Sequence, residues 1–354
     1  MAQVQVFDGH NDLLLRLWRD PARREEIFLT GEGKGHLDLP RMRAGGFAGG
    51  LFAIYVPSQW EGDADAYMAM MGNPPYDIPL PPEIAQPEAA VVALGQAGLF
   101  AWMERASDGA FRACRDVAAI RAAMAAGAVA GVLHMEGAEA IGTDLDALHV
   151  FHAAGLRSLG PVWSRPTAFG HGVPFRFPGD PDTGPGLTGA GRALVRECAA
   201  LRMVTDLSHL NAAGFRDVMA VSDLPLVATH SNAWTVTPSA RNLTDWQLDA
   251  IRESGGMVGL NFATGFLRED GRDSPAMGWD PVLRHLDHLI ARLGEDHVGF
   301  GSDFDGATVP EGIGDVAGLP RLIAALDAHG YDAALVEKLA YRNWLAVLER
   351  IWGG

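Results

Sequence analysis

Two cysteines in 354 residues, Cys114 and Cys198, are too few for a disulfide framework or a thiolate metal cluster. Both are read as lying inside helical patterns, so any metal held by this chain must sit on histidine, aspartate and glutamate. Basic residues are also scarce, since 28 Lys and Arg against 44 Asp and Glu leave a formal net charge of −16. Nucleic acid and anionic membrane both require a basic face. The expected partner is therefore a small molecule, with no nucleic acid and no membrane. Long apolar runs are missing too: no stretch approaches the roughly 20 residues of a transmembrane helix. The opening MAQVQVFDGHND has neither a basic nor an apolar leader region, which makes a cytoplasmic location the expectation. Low charge, at 20%, beside 48% hydrophobic residues leaves little room for disorder and enough apolar surface for a sizeable core.

What is present is organised around residues 202–231. Two short apolar runs, MVTDL and PLVAT, each lead to a histidine, His209 and His230. Between them, 211–221 reads as a helix capped by Asn211, with Phe215, Val218 and Met219 on its apolar side. If the flanking strands are parallel neighbours, the two imidazoles emerge side by side at the C-terminal strand ends, where α/β folds place their chemistry. Two adjacent imidazoles can hold one divalent ion.

The same strand-helix alternation extends along the chain. The first strand, VQVFDGH, closes on His10, Asn11 and Asp12, and side chains two apart in an extended chain share a face. A second strand, 49–57, is followed by a segment rich in Gly, Pro and Met, read as an insertion on the catalytic face. The third, 128–137, ends at Glu136, a carboxylate costly to bury unless it is paired or coordinating. His134, two residues deeper, is read as barrel packing, and Glu139 as solvated. The fourth strand ends near Trp163, and Arg165, His171 and Arg176 lie in the loop beyond it. A capping box, Thr244 with Gln247, starts the helix after Arg241. The seventh strand, 255–262, contains Asn261. Histidines 285 and 288 are read as solvent-facing on the amphipathic helix that follows. The eighth strand, HVGFGSDFDG, ends at Asp303 and Asp305. Together these predict an α/β fold, a single (β/α)8 TIM barrel over 1–354 with loop insertions on the C-terminal face of the strands. His10, Asp12, Glu136, His209, His230 and Asp303 would converge there, although scatter over helices and loops was equally open to them.

With these residues assembled, the chain resembles the membrane dipeptidase (renal dipeptidase) family of zinc metallopeptidases, a branch of the amidohydrolase-type barrels. The likeness rests on DGHND (8–12), MEGAEAI (135–141), DLSHL (206–210), THSNA (229–233), SARN (239–242) and FGSDFDG (300–306). It implies two divalent metal ions, zinc by preference: His10 and Asp12 on one, His209 and His230 on the other, and Glu136 bridging them. It also implies that Asp303 is the acid/base, that a metal-bridging hydroxide attacks the peptide bond, and that Arg241 pairs with the dipeptide's carboxylate. Two metals acidify a shared water and polarise a carbonyl, which agrees independently with this set. Where family members carry a substrate-contacting histidine, this chain has Trp163, whose indole N–H can donate one hydrogen bond. Arg165 or His171 would stand in for that imidazole. Trp163, Arg165 and Asn261 join Arg241 as substrate-binding candidates. The dipeptide is the implied partner, and a homodimer is left open.

Two other readings stand beside this one. An amidohydrolase acting on N-acyl amino acids, or on another non-peptide amide or lactone, would also use a carboxylate-binding arginine. A non-catalytic barrel would be signalled by loss of Glu136 or Asp303, and both are present.

Overall fold

The computed structural model describes residues 3–60 and 64–353. Eight parallel strands form a nearly closed barrel: β1 (Val6–Asn11), β2 (Phe47–Tyr55), β3 (Val129–Glu136), β4 (Leu156–Gly160), β5 (Val204–Thr205), β6 (Val227–Ala228), β7 (Met257–Asn261) and β8 (Val298–Gly301). Their hydrogen-bonded order is β5-β4-β3-β2-β1-β8-β7-β6. Parallel neighbours need crossover connections, and helices such as Asp146–Ala154, Gly189–Ala200, Ala212–Val221 and Asp245–Glu253 supply them. The open seam is spanned by one parallel bridge, Asp206 to Val227, with Leu207 N–H donating to Val227 O at 2.9 Å. This is the expected TIM-barrel architecture.

Period-two alternation decides what enters the barrel. On β3, Ala130 and Val132 pack in the cluster that fills the lower barrel with Phe7, Leu51, Val204, Val227, Met257 and Trp344. Leu133 and Met135 face the other way, into the layer shared with the helices. His134 and Glu136 continue the inward series toward the C-terminal end. The indole of Trp344, on the last helix Asn343–Trp352, closes the bottom and donates to Phe300 O at 2.9 Å. A Cβ on Gly9 would meet both Thr229 O and this indole at 2.4 Å, so the closest approach of β1 to the plug requires glycine.

The segment after β2 folds over the C-terminal face as expected. Its Tyr76–Asp77 strand pairs antiparallel with Arg176–Phe177, from the loop after β4, so the two insertions form one ribbon. The capping residues Asn211 and Thr188 accept from Gly214 and Gly191 amides, and the Thr244–Gln247 capping box is formed.

Four local expectations are corrected. Cys114 is not helical: it follows the short strand Phe111–Ala113, and its amide donates to Gly131 O at 2.7 Å. Strands β5 and β6 are only two residues long, because the Asp206 side chain takes the amides of Ser208 and Thr229 that a longer ladder would have used. The eighth strand stops at Gly301, and Asp303 and Asp305 lie in a turn with φ of 58° and 68°, a left-handed conformation that Asp tolerates. His285 is buried rather than solvent-facing: Nδ1 accepts from Ala233 N–H at 3.1 Å, and Nε2 faces Thr237 Oγ1 and Leu267 O. No helix among the described residues is long and apolar enough to cross a membrane.

Candidate metal centre and substrate cavity

The chain ends of β1, β3, β5, β6 and β8 bring one histidine and carboxylate cluster to the mouth of the barrel. Three imidazole nitrogens face a single oxygen of Glu136: Nε2 of His209 at 2.9 Å, of His230 at 3.3 Å and of His10 at 3.6 Å. His10 Nε2 also lies 3.4 Å from Asp12 Oδ2. His10, Glu136 and His230 offer ligand atoms within 4.8 Å of one another, and so do His10, Asp12 and Asp303. The geometry brings together all six residues picked from the sequence. Glu136 is not alone in its cost, because His10, Asp12, His209 and His230 are buried too and Asp303 is half-buried.

The donor set suits a divalent cation. His209 Nδ1 lies 2.8 Å from Ser164 Oγ, and His230 Nδ1 lies 2.8 Å from Thr229 Oγ1. With those nitrogens protonated toward the hydroxyls, both Nε2 lone pairs point inward, and the two Nε2 atoms sit 3.1 Å apart. The two lone pairs repel each other and the carboxylate, and Arg241 Nη2 relieves only that of His209, at 3.0 Å, so a cation among them is still favoured. Both ring nitrogens of His10 are buried without a hydrogen-bond partner among the described residues, an unmet demand of the kind that coordination satisfies.

Titration tells the same story. Burial lifts the Glu136 carboxyl well above its usual range, and Asp12 and Asp303 add to the rise against His10. Burial also raises Asp303, helped by Asp12 and opposed by His10, Asn261 and Arg241. His10 loses to burial but gains more from Glu136, Asp12 and Asp303, and is pushed up to about 10. Burial, Arg241 and His10 hold His209 and His230 well below the normal imidazole range. Without a metal, the three carboxylates have only the Arg241 guanidinium and a protonated His10 to face.

A cavity of about 940 Å³ opens above this cluster. Its floor carries Asp12, Glu136, His209, Arg241 and Asp303, and its walls include Tyr55, Trp60, Met71, Trp163, Phe175 and Phe266. Trp163 packs edge-on against Tyr55 and Phe175 at 5.2 and 5.5 Å. Arg241 reaches the floor from the loop after β6: its guanidinium donates to Ser208 O, to His230 O at 3.2 Å and to His209 Nε2 at 3.0 Å. Its Nε has no partner among the described residues. Burial lowers its pKa to about 10, against Asp303 and Glu136, so it remains cationic near neutral pH.

Two of the expected substrate contacts, Arg165 and Asn261, are buried in hydrogen bonds to the protein itself and do not line the cavity. Arg165 is fully buried and spends its fork on Glu139 Oε1 at 2.6 Å, Ser58 Oγ at 2.7 Å and Val56 O at 2.7 Å. Its guanidinium lies 5.4 Å from the ring centres of both Tyr55 and Trp163, so it braces the cavity wall. Glu139, expected in solvent, is buried as its counter-ion. Asn261 is buried too, and its amide donates to Asp303 Oδ2 at 2.8 Å. His171 is half-buried against Gly186 O at 3.3 Å, and Arg176 pairs with Asp77 at 2.9 Å. Tyr55, Phe175 and Phe266 were missed because aromatic residues in strands and loops read as core. Nothing in their spacing marks a cavity wall.

Comparison with known proteins follows the same line. The model of the membrane dipeptidase family (peptidase family M19) matches residues 1–352. A solved metallopeptidase described as dipeptidase AC is 67% identical, with a TM-score of 0.97 over 99% of this chain and 100% of that one. A metallopeptidase from Rhodobacter sphaeroides, liganded with a phosphinate mimic of the dipeptide L-Ala-D-Ala, is 68% identical with a TM-score of 0.98, again over 99% of this chain and 100% of that one. A Klebsiella pneumoniae protein of the pqqA 5′ region is 50% identical over 246 residues, 70% of this chain and 91% of its own length. By the span of the family match and the closeness of these relatives, the chain belongs to the membrane dipeptidase family of metallopeptidases, peptidase family M19.

Proposed function

We propose that the chain, acting over residues 1–354 as one barrel domain, hydrolyses free dipeptides on two divalent ions, zinc by preference. His10 and Asp12 would hold one ion, His209 and His230 the other, with Glu136 shared between them. The observation that carries this reading is the convergence of three imidazole nitrogens within 3.6 Å of one Glu136 oxygen. When bound, the ions supply a Lewis acid that polarises the scissile carbonyl and acidifies the attacking water.

The remaining work belongs to the chain. Arg241 presents a planar, always-charged fork at the cavity floor, suited to the dipeptide's C-terminal carboxylate. Asp303 accepts a proton from the nucleophile and returns it to the leaving amine, its Oδ2 held by the Asn261 amide at 2.8 Å. In the metal-free protein burial raises the Asp303 carboxyl above the usual aspartate range. The walls of Tyr55, Trp163, Phe175 and Phe266 exclude water around the side chains. The ligand of the 68% identical Rhodobacter sphaeroides relative supports L-Ala-D-Ala as one substrate.

The test is a panel of L-Ala-D-Ala, L-Ala-L-Ala and N-acetyl-alanine with zinc-loaded protein. Cleavage of free dipeptides with N-acetyl-alanine left intact is the expected result. Preferential cleavage of the N-acyl amino acid would move the assignment to the amidohydrolase alternative.

A further inference from the structure

Asp206 lies in the DLSHL motif, yet neither the ligand set nor the substrate contacts employ it. It is buried between β5 and β6, where Ser208 and Thr229 donate to it and His134 Nε2 lies 3.7 Å from Oδ2 without a hydrogen bond. Oδ1 accepts from Ser208 N at 3.1 Å, Ser208 Oγ at 2.6 Å and Thr229 N at 2.9 Å. Oδ2 accepts from Thr229 Oγ1 at 2.7 Å. The Thr229 hydroxyl has one proton, and an ionised carboxylate can only accept, so that proton goes to Asp206. What then faces His230 Nδ1, 2.8 Å away, is an oxygen lone pair. His230 must therefore carry its proton on Nδ1, which leaves Nε2 bare toward Glu136 at 3.3 Å and His209 Nε2 at 3.1 Å.

We infer that Asp206 is a positioning residue that fixes the tautomer of His230 through the Thr229 hydroxyl, so that a lone pair and not a proton faces the metal centre. Ser208 strengthens the arrangement without being able to reverse it. Its own proton is committed to Asp206 Oδ1, and its oxygen accepts from His230 N–H at 3.1 Å. The chain carboxylate, hydroxyl, imidazole extends the familiar pairing of a ligating histidine with a carboxylate by one hydroxyl. The inference rests on the reading of His230 as a ligand given above.

The polarity of this relay makes Asp206→Asn informative. Three donors converge on Oδ1, so the amide oxygen must sit there and the NH2 group must face Thr229 Oγ1. The hydroxyl would then accept from the amide and turn its proton to His230 Nδ1 at 2.8 Å in preference to Ser208 Oγ at 3.2 Å, moving the imidazole proton to Nε2, where it blocks coordination. A comparable Asp→Asn change keeps geometry but imposes the wrong tautomer in the serine-protease triad.

The experiment measures zinc affinity by competition with a chromogenic chelator for the parent, D206N, T229V, T229S and H230A. In parallel, imidazole ¹⁵N shifts of His230 are read in the metal-free parent and in D206N. Loss of an outer partner of a ligating histidine costs about 10- to 100-fold in metal affinity. D206N and T229V should weaken one zinc equivalent by that factor, T229S should retain parent affinity, and H230A should lose that equivalent. The metal-free parent should show the Nδ1–H tautomer and D206N the Nε2–H tautomer. Parent-like zinc affinity in D206N while H230A loses an ion would overturn the relay but leave the ligand reading standing. Two full equivalents in H230A would remove the ligand reading, and the relay with it. If D206N does not fold, the parent spectrum still decides, since an Nε2–H tautomer there contradicts the inference.

Discussion

Replacing Arg165 with methionine should destabilise the protein far more than an average substitution, and the size of the effect follows from what is left behind. Arg165 and Glu139 have fully buried side chains, 2.6 Å apart. Glu139 Oε2 already lacks a hydrogen-bond partner among the described residues. Arg165→Met strands a buried carboxylate and unpairs Val56 O, and breaking a buried pair from one side costs about 3–5 kcal/mol. Arg165→Met combined with Glu139→Leu leaves no uncompensated charge and should recover most of that loss, because a well-packed apolar replacement of a buried pair is often neutral or better. Urea unfolding of the four-member cycle is the assay. The guanidinium also braces Tyr55 and Trp163, so the double variant should show a raised KM with kcat less affected. A single-mutant cost under about 1 kcal/mol, or a double variant as unstable as the sum of the two singles, would refute the argument.

The other predictions concern the site and its surroundings. Asp303→Asn should keep its metal, measured by elemental analysis, while kcat falls by about 10²- to 10⁴-fold, the usual worth of a positioned acid/base. Unchanged turnover would remove Asp303 from that role. Arg241→Ala should reduce kcat/KM for free dipeptides by roughly tenfold to a hundredfold and leave C-terminally amidated dipeptides little changed, since a charge-assisted bond is worth about 1.5–3 kcal/mol. An equal loss on both substrates would show that Arg241 does not read the carboxylate. His285, held down to about 3 chiefly by burial, stays neutral when folded but takes a proton below about pH 6.5 when unfolded. The unfolded chain then binds more protons, so this residue's contribution is present above pH 6.5 and is lost as pH falls toward 3, at up to about 1.4 kcal/mol per pH unit. His285→Gln should flatten the stability profile in that window, as followed by denaturant midpoint against pH; an unaltered slope would contradict it.

The barrel was readable because eight apolar runs alternate with amphipathic segments, and the ligand cluster because its members close those runs. His10, Glu136 and His230 each follow an apolar stretch, a pattern that local sequence displays directly. Asp206 shows why legibility stops there: its side chain replaces backbone ladder bonds, so β5 and β6 end earlier than their apolar character suggests. Arg165 and Glu139 are 26 residues apart and meet only because the loops after β3 and β4 fold together. From the sequence alone Glu139 reads as solvated and Arg165 as a substrate contact, and nothing marks the two as partners. His285 sits on a strongly amphipathic helix, and its burial depends on Ala233 and Thr237 arriving from the loop after β6. Asn261 was expected to touch the substrate, and its amide is instead held on Asp303, 42 residues away. In each case the missing information is a tertiary contact between loops, which periodicity cannot carry.

Whether Glu136 and the surrounding imidazoles hold two metal ions on which dipeptide hydrolysis depends is decided by metal titration. The most direct measurement strips the protein with a chelator, titrates zinc back, and follows bound zinc and L-Ala-D-Ala hydrolysis together. No turnover without metal, activity rising to a plateau at two zinc per chain, and loss of both binding and turnover in Glu136→Gln are the expected results. Full activity at one zinc per chain, or hydrolysis that survives complete metal removal, would contradict the two-metal reading.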